Sequence, residues 1–170
     1  MNVGGYEIER KFEIEYPTDG EIASMLALPG AKSVSIVQVY LTSDGGGSRR
    51  IRRSETSDEV EYRLTVKRGG GIVREERETE ITEGEYARLL TEAEAGLSPV
   101  IKTRLCVPSG NRVIEIDLYD GFTDYAVAEV ELMAADEILP DMSCVRVIRE
   151  VTGEHAWLNR TIAKHGMPEK

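Results

Sequence analysis

Tyr6-Glu7-Ile8-Glu9-Arg10-Lys11-Phe12-Glu13-Ile14 alternates in kind along its length. Glu7, Glu9 and Lys11 share one parity, and Tyr6, Ile8, Phe12 and Ile14 fall largely on the other, so an extended chain here has an ionic face and an apolar face. Other strand-like runs repeat the division. Their ionic parity supplies acids at Glu78, Glu80, Glu115, Asp117, Glu129 and Glu131, and bases at Arg50, Arg52, Lys67, Lys102 and Arg104. The opposite parity holds Ile51, Leu64, Val66, Leu105, Ile114, Ile116, Leu118, Val130 and Leu132.

In an antiparallel sheet such alternation usually means that the polar face meets water. The make-up of this polar face argues otherwise: solvated strands mix Thr, Ser, Gln and Lys, whereas here acids recur as Glu-x-Glu or Glu-x-Asp. Adjacent like charges repel. A hard divalent cation relieves that repulsion through carboxylate oxygens, and neighbouring Lys and Arg suit phosphate oxygens. The ionic face is therefore expected to line the inside of a barrel holding metal and a polyanion, with the apolar residues packed outward under helices.

Turn signals separate the strands. The expected strands are Tyr6 to Tyr16, Val37 to Leu41, Arg49 to Arg53, Val60 to Lys67, Val73 to Ile81, Val100 to Val107, Val113 to Tyr119 and Tyr125 to Leu132. Gly45 to Gly47 and Gly69 to Gly71 read as turns; neither is a P-loop, since no Gly-Lys-Ser/Thr follows. Asp19 is expected to cap a short helix ending before Pro29 and Gly30, and Thr82 with Glu85 to open a second one running to Gly96. A helical turn is expected at Asp136 to Leu139, and a last helix at Glu154 to Lys164.

The chain of 170 residues, 41% of them hydrophobic, is long enough for one domain with a real core. Its net charge of -10 disfavours nucleic acid and anionic membranes as partners, so any polyanion needs a local basic pocket. Strand parity also splits the Arg49-Arg50-Ile51-Arg52-Arg53 cluster, which argues against a nucleic-acid patch. Cys106 and Cys144 fit neither a disulfide framework nor a zinc site, and no leader or membrane span is legible; the cytoplasm is the expected location. His155 and His165 read as solvated or packed, and Trp157 as a packing anchor.

Glu7-Ile8-Glu9-Arg10-Lys11-Phe12 resembles the Glu-x-Glu-x-Lys signature of the CYTH superfamily, the triphosphate tunnel metalloenzymes. Gln38-Val39-Tyr40-Leu41, Arg50-Ile51-Arg52, Thr65-Val66-Lys67, Glu78-Thr79-Glu80, Lys102-Thr103-Arg104, Glu115-Ile116-Asp117 and Glu129-Val130-Glu131 follow in order, each similar to the family pattern. The resemblance implies an α+β, mainly β fold over residues 1–170 as a single domain: an eight-stranded antiparallel closed tunnel with a charged lumen and a few covering helices. It implies Lys11, Arg50, Arg52, Lys67, Lys102 and Arg104 as phosphate ligands, and Glu7, Glu9, Glu115, Asp117, Glu129 and Glu131 as carboxylates for one or two Mg2+ or Mn2+ ions. Lys11, Lys67, Lys102, Glu78 and Asp117 are the implied catalytic set. At the tail, Asn159 fits the family pattern, whereas Leu158 stands where a lysine is common.

The implied reaction is hydrolysis of a small-molecule triphosphate, with inorganic tripolyphosphate favoured; a homodimer is allowed for. An adenylate cyclase or a thiamine triphosphatase of the same superfamily would share the tunnel, and a non-catalytic polyphosphate or nucleotide sensor would keep the basic grip alone. A lipocalin-like carrier needs an apolar lumen, the reverse of the parity found here.

Overall fold

The computed structural model describes residues 8–44, 47–68 and 75–169. Glu7, Tyr6, Gly45, Gly46, Gly69 to Gly71 and Val73 lie outside the described residues. Within them run β1 (Ile8–Ile14), α1 (Asp19–Leu26), β2 (Lys32–Leu41), β3 (Ser48–Glu55), β4 (Val60–Arg68), β5 (Glu75–Glu80), α2 (Glu83–Leu89), β6 (Val100–Ser109), β7 (Arg112–Tyr119), β8 (Ala126–Leu132), β9 (Val147–Glu150) and α3 (Asn159–His165). The strands belong to one sheet in the order β5-β4-β3-β2-β6-β7-β8-β1-β9.

That order corrects the eight-stranded closed barrel: among the described residues there are nine strands, and the order ends at β5 and β9 without closing. The added strand is β9, which pairs antiparallel with β1 at Phe12–Ile14, the edge left free by β8. All four β9 residues are exposed, so no buried alternation marked them as a strand. The last expected helix is also broken. His155–Trp157 forms a 3-10 turn, Leu158 is extended at φ -72 and ψ 135, and α3 begins only at Asn159. The helical turn at Asp136 to Leu139 is instead a single turn closed by Glu137 N–H on the Ala134 carbonyl.

Helix starts follow local chemistry. Thr18, not Asp19, caps α1: its hydroxyl accepts from Glu21 N–H while the Glu21 carboxylate takes Thr18 N–H at 2.8 Å. Thr82 and Glu85 make the same reciprocal pair at α2, as their spacing predicted. α2 stops at Leu89 and tightens into a 3-10 turn over Leu90–Glu92, short of Gly96.

The described residues group into two compact units, one of Ile36–Ile101 with the stretch from Asn159, the other of the stretch to Ser35 with Lys102–Leu158. In the second, the apolar parity of β1, β6, β7 and β8 (Phe12, Ile14, Leu105, Val107, Ile114, Ile116, Ala126, Ala128, Val130, Leu132) packs with Met25 of α1. In the first, Val39, Leu41 and Ile51 pack with Tyr86 and Leu89 of α2. The apolar parity is thus covered by helices in each unit, as expected, and the ionic parity is left for the other face. Ile114 is fully buried in the larger core. Ile114→Ala should lower the unfolding free energy by about 2–5 kcal/mol in a urea titration, and a loss below about 1 kcal/mol would contradict this packing.

Candidate functional site

On the unit built from β1, β6, β7 and β8, the ionic parity forms one connected cluster. Register sets it: Lys11 stands opposite Glu129, Arg104 opposite Asp117, and Glu115 opposite Glu129. Asp117 has no exposed surface and takes Lys102 Nζ at 2.5 Å, Arg104 Nε at 2.6 Å and Arg104 Nη2 at 2.8 Å. Arg104 also donates to Glu115 and, at 2.9 Å, to Glu129. Lys11 Nζ lies 2.9 Å from Glu129 and 3.6 Å from Glu9, and donates to the Trp157 carbonyl at 3.2 Å.

Burial and charge compete at each group. For Asp117, desolvation favours the neutral acid, but Lys102 and Arg104 outweigh it and hold the carboxyl at about 2. Burial pulls Lys102 below the usual lysine range despite Asp117. Glu9 behaves in the opposite way to Asp117: desolvation, then the Glu129 carboxylate, push it up to about 6 although 44% of its side chain is accessible. Burial also raises Glu115, whereas Lys102, Lys11 and Arg104 together overcome burial and Asp117 to lower Glu129.

The other unit carries a second, looser cluster on β3, β4 and β5. Parity again sorts it. Arg49 turns to Glu92 at 3.0 Å and Arg53 to Glu55 at 2.8 Å, while Arg50 and Arg52 face Glu76 at 3.9 Å and Glu78 at 3.8 Å. Lys67 pairs with Glu76 at 2.8 Å, and Glu78 takes Arg63 at 2.6 Å and the Thr65 hydroxyl at 3.3 Å. Desolvation raises Glu78, but the Arg63 hydrogen bond and Arg52 reverse it, so this acid stays ionised. Arg50 Nε is buried and has no hydrogen-bond acceptor among the described residues.

Of the residues singled out by sequence, Glu9, Lys11, Lys102, Arg104, Glu115, Asp117 and Glu129 thus meet on one unit, and Arg50, Arg52, Lys67 and Glu78 on the other. Glu131 is exposed and stands opposite Glu9; Glu80 is exposed opposite Arg63. Glu7 lies outside the described residues. Glu76 and Arg63 were missed although each shares strand parity with chosen neighbours, Glu78 and Lys67. Gln38, 2% exposed, and Tyr40 have side chains joined at 3.1 Å, and Arg160 of α3 lies over the Tyr40 ring and grips Glu94 at 2.7 Å. Glu13, buried beside Arg149 at 3.2 Å, has the parity of Lys11 and was likewise passed over.

The carboxylates present suit a hard divalent cation in kind, since Glu9 and Glu131 oppose each other; Glu129 Oε1 is already paired with the Lys11 ammonium at 2.9 Å. Among the described residues no three Asp, Glu, His or Cys side chains converge on one point. Of the expected donor set, the register sets Glu9 opposite Glu131, while Glu129, two residues along β8, faces Lys11. Trp157 is 4% exposed and packs on Tyr125 with ring centroids 5.2 Å apart, a packing anchor as expected. Cys106 and Cys144 are both free thiols, and no helix among the described residues is long and apolar enough to cross a membrane.

Comparison with known proteins bears on the family and the fold. The family model for the CYTH domain matches residues 5–143. An inorganic triphosphatase of Nitrosomonas europaea is 29% identical over 161 residues, covering 92% of this chain and 96% of the relative. A crystal structure of an inorganic triphosphatase superposes with a TM-score of 0.59 at 24% identity over 94% of this chain and 95% of the other. A Pyrococcus horikoshii protein superposes with a TM-score of 0.53 at 24% identity, covering 78% and 82%.

Two outcomes test these electrostatics. Asp117→Asn leaves Lys102 and Arg104 short of their buried counter-charge and should cost about 3–5 kcal/mol of stability at neutral pH in denaturant unfolding; a cost below about 1 kcal/mol would contradict it. For Glu9 the sign is reversed. Its carboxyl titrates at about 6 when folded against 4.5 as a free group, so the folded state holds the proton more tightly, and the penalty of ionising it is absent below 4.5 and full above about 6. Glu9→Gln should therefore raise Tm at pH 7 and leave it unchanged at pH 4; equal shifts at both would remove this explanation.

Proposed function

Because the chain belongs to the CYTH domain family, we propose that it is a triphosphatase that hydrolyses inorganic tripolyphosphate and releases orthophosphate by in-line attack of water. The observation that carries the reading is Arg50: its guanidinium bonds Tyr40, but among the described residues its buried Nε has no acceptor and its nearest acid, Glu76, is 3.9 Å away. A buried cationic donor without a partner is costly, and a phosphoryl oxygen satisfies it. The similarity to a curated inorganic triphosphatase across nearly its whole length supports the same substrate class.

In this reading Arg50, Arg52 and Lys67 grip phosphate and take up charge that develops on the transferring group. Glu76 and Glu78 hold these cations in place when no phosphate is bound. Lys11, Lys102 and Arg104 add positive charge on their own unit. Asp117, with both oxygens taken by Lys102 and Arg104, which hold it ionised, is not placed to take a proton from water; its part is to position Lys102 and Arg104. Glu9, Glu129 and Glu131, with Glu7 and Glu115 as further candidates, would hold Mg2+ or Mn2+. Such an ion, when bound, neutralises charge on phosphoryl oxygens. The buried Trp157 offers no stacking platform for a thiamine group. Two free thiols are in keeping with a cytoplasmic site of action.

Phosphate release from tripolyphosphate, ATP and thiamine triphosphate, each with Mg2+ and with Mn2+, tests the proposal. Tripolyphosphate should turn over fastest and only with metal. Arg50→Ala should raise its KM by roughly ten- to a hundredfold, the equivalent of one charge-assisted hydrogen bond of about 1.5–3 kcal/mol. Cyclic AMP with pyrophosphate from ATP, or no orthophosphate with either metal, would overturn it.

A further inference from the structure

The CYTH match ends at residue 143, yet the chain beyond it touches β1 at Lys11, a buried member of the ionic cluster. β9 ends at Glu150, and past that point the ladder to β1 is continued by other means. Val151 N–H donates to the Lys11 carbonyl at 2.8 Å, and Lys11 N–H donates to the hydroxyl of Thr152 at 2.9 Å. A side chain here takes the place of the backbone carbonyl that a longer strand would supply. The Thr152 hydroxyl in turn donates to Glu150 at 2.8 Å. Glu150 is itself clamped by Arg10 at 2.8 and 2.7 Å. At the far end of the same segment, the Trp157 carbonyl takes Lys11 Nζ. Lys11 is thereby held at its amide, its carbonyl and its ammonium by Val151, Thr152 and Trp157.

From this geometry we infer that Thr152 is a positioning residue: with the Trp157 carbonyl it fixes where the Lys11 ammonium stands, so that the ionic site is completed by a segment outside the matched domain. Lys11 has carboxylates on one side, Glu129 at 2.9 Å and Glu9 at 3.6 Å, which would draw its flexible stem toward them. Anchoring its backbone and giving the ammonium a neutral third acceptor opposes that pull. Trp157 can serve because its ring is buried against Tyr125, which fixes the carbonyl that Lys11 reads. The inference rests on the triphosphatase reading only where catalysis is the readout.

The test compares Thr152→Val, which keeps the shape and loses the hydroxyl, with Thr152→Ser, which keeps it. The Lys11 backbone amide proton, followed by 15N-resolved NMR of the full chain, should move upfield in Thr152→Val and hold its wild-type position in Thr152→Ser. With tripolyphosphate and Mg2+, kcat should fall about tenfold in Thr152→Val while KM changes less than about twofold, and Thr152→Ser should restore kcat to within about twofold. An unmoved Lys11 amide in Thr152→Val would overturn the inference, as would wild-type kcat in that variant or equal loss in both. Should the wild-type protein show no turnover at all, the triphosphatase reading falls, and the amide shift alone decides the role of Thr152.

Discussion

Asp117, without exposed surface and held between Lys102 and Arg104, is the contact on which the ionic unit depends. Three charges so deeply enclosed cost desolvation energy that only close, well-directed hydrogen bonds offset. The opposed parity of β6 and β7 supplies those bonds, because Arg104 and Asp117 are register partners. Arg104 then extends the network to Glu115 and Glu129, and Glu129 to Lys11. An apolar residue at position 117 would remove the acid that Lys102 pairs with and leave Arg104 only Glu115 and Glu129; an ionic face of this kind persists only as a set.

The two clusters differ in how far their charges are satisfied. On β1, β6, β7 and β8, cations and acids neutralise one another at hydrogen-bond distance. On β3, Arg50 stands 3.9 Å from Glu76, and its Nε has no acceptor among the described residues. Loose pairing keeps a cation available to an incoming anion at lower cost than breaking a tight pair. The difference is why the proposal of phosphate binding rests on Arg50, while Arg104 serves to order the acids around it.

Strand parity made most of this legible in the sequence. The period of two places ionic and apolar residues on opposite faces whatever the tertiary context, so Ile51 under α2 and Arg50 on the other face were readable together. The same rule reached Lys102, Arg104, Asp117 and Glu129. Glu76, Arg63 and Glu13 share the parity of Glu78, Lys67 and Lys11, so the same period encodes them. β9 lay beyond it, since four exposed residues leave no burial pattern to read, and the break at Leu158 is a backbone choice made by its surroundings. The hold of Thr152 and Trp157 on Lys11 joins residues some 141 and 146 positions apart, a relation no local pattern encodes.

A crystal structure with tripolyphosphate and manganese, the metal located by its anomalous scattering, bears on the whole assignment of faces. If the ionic parity binds the substrate, phosphoryl oxygens lie within hydrogen-bond distance of Arg50, Arg52 and Lys67, and Arg50 Nε gains the acceptor it lacks. Phosphate seated on Arg49, Arg53 and Arg88 instead, on the helix-covered side of the same strands, would contradict it.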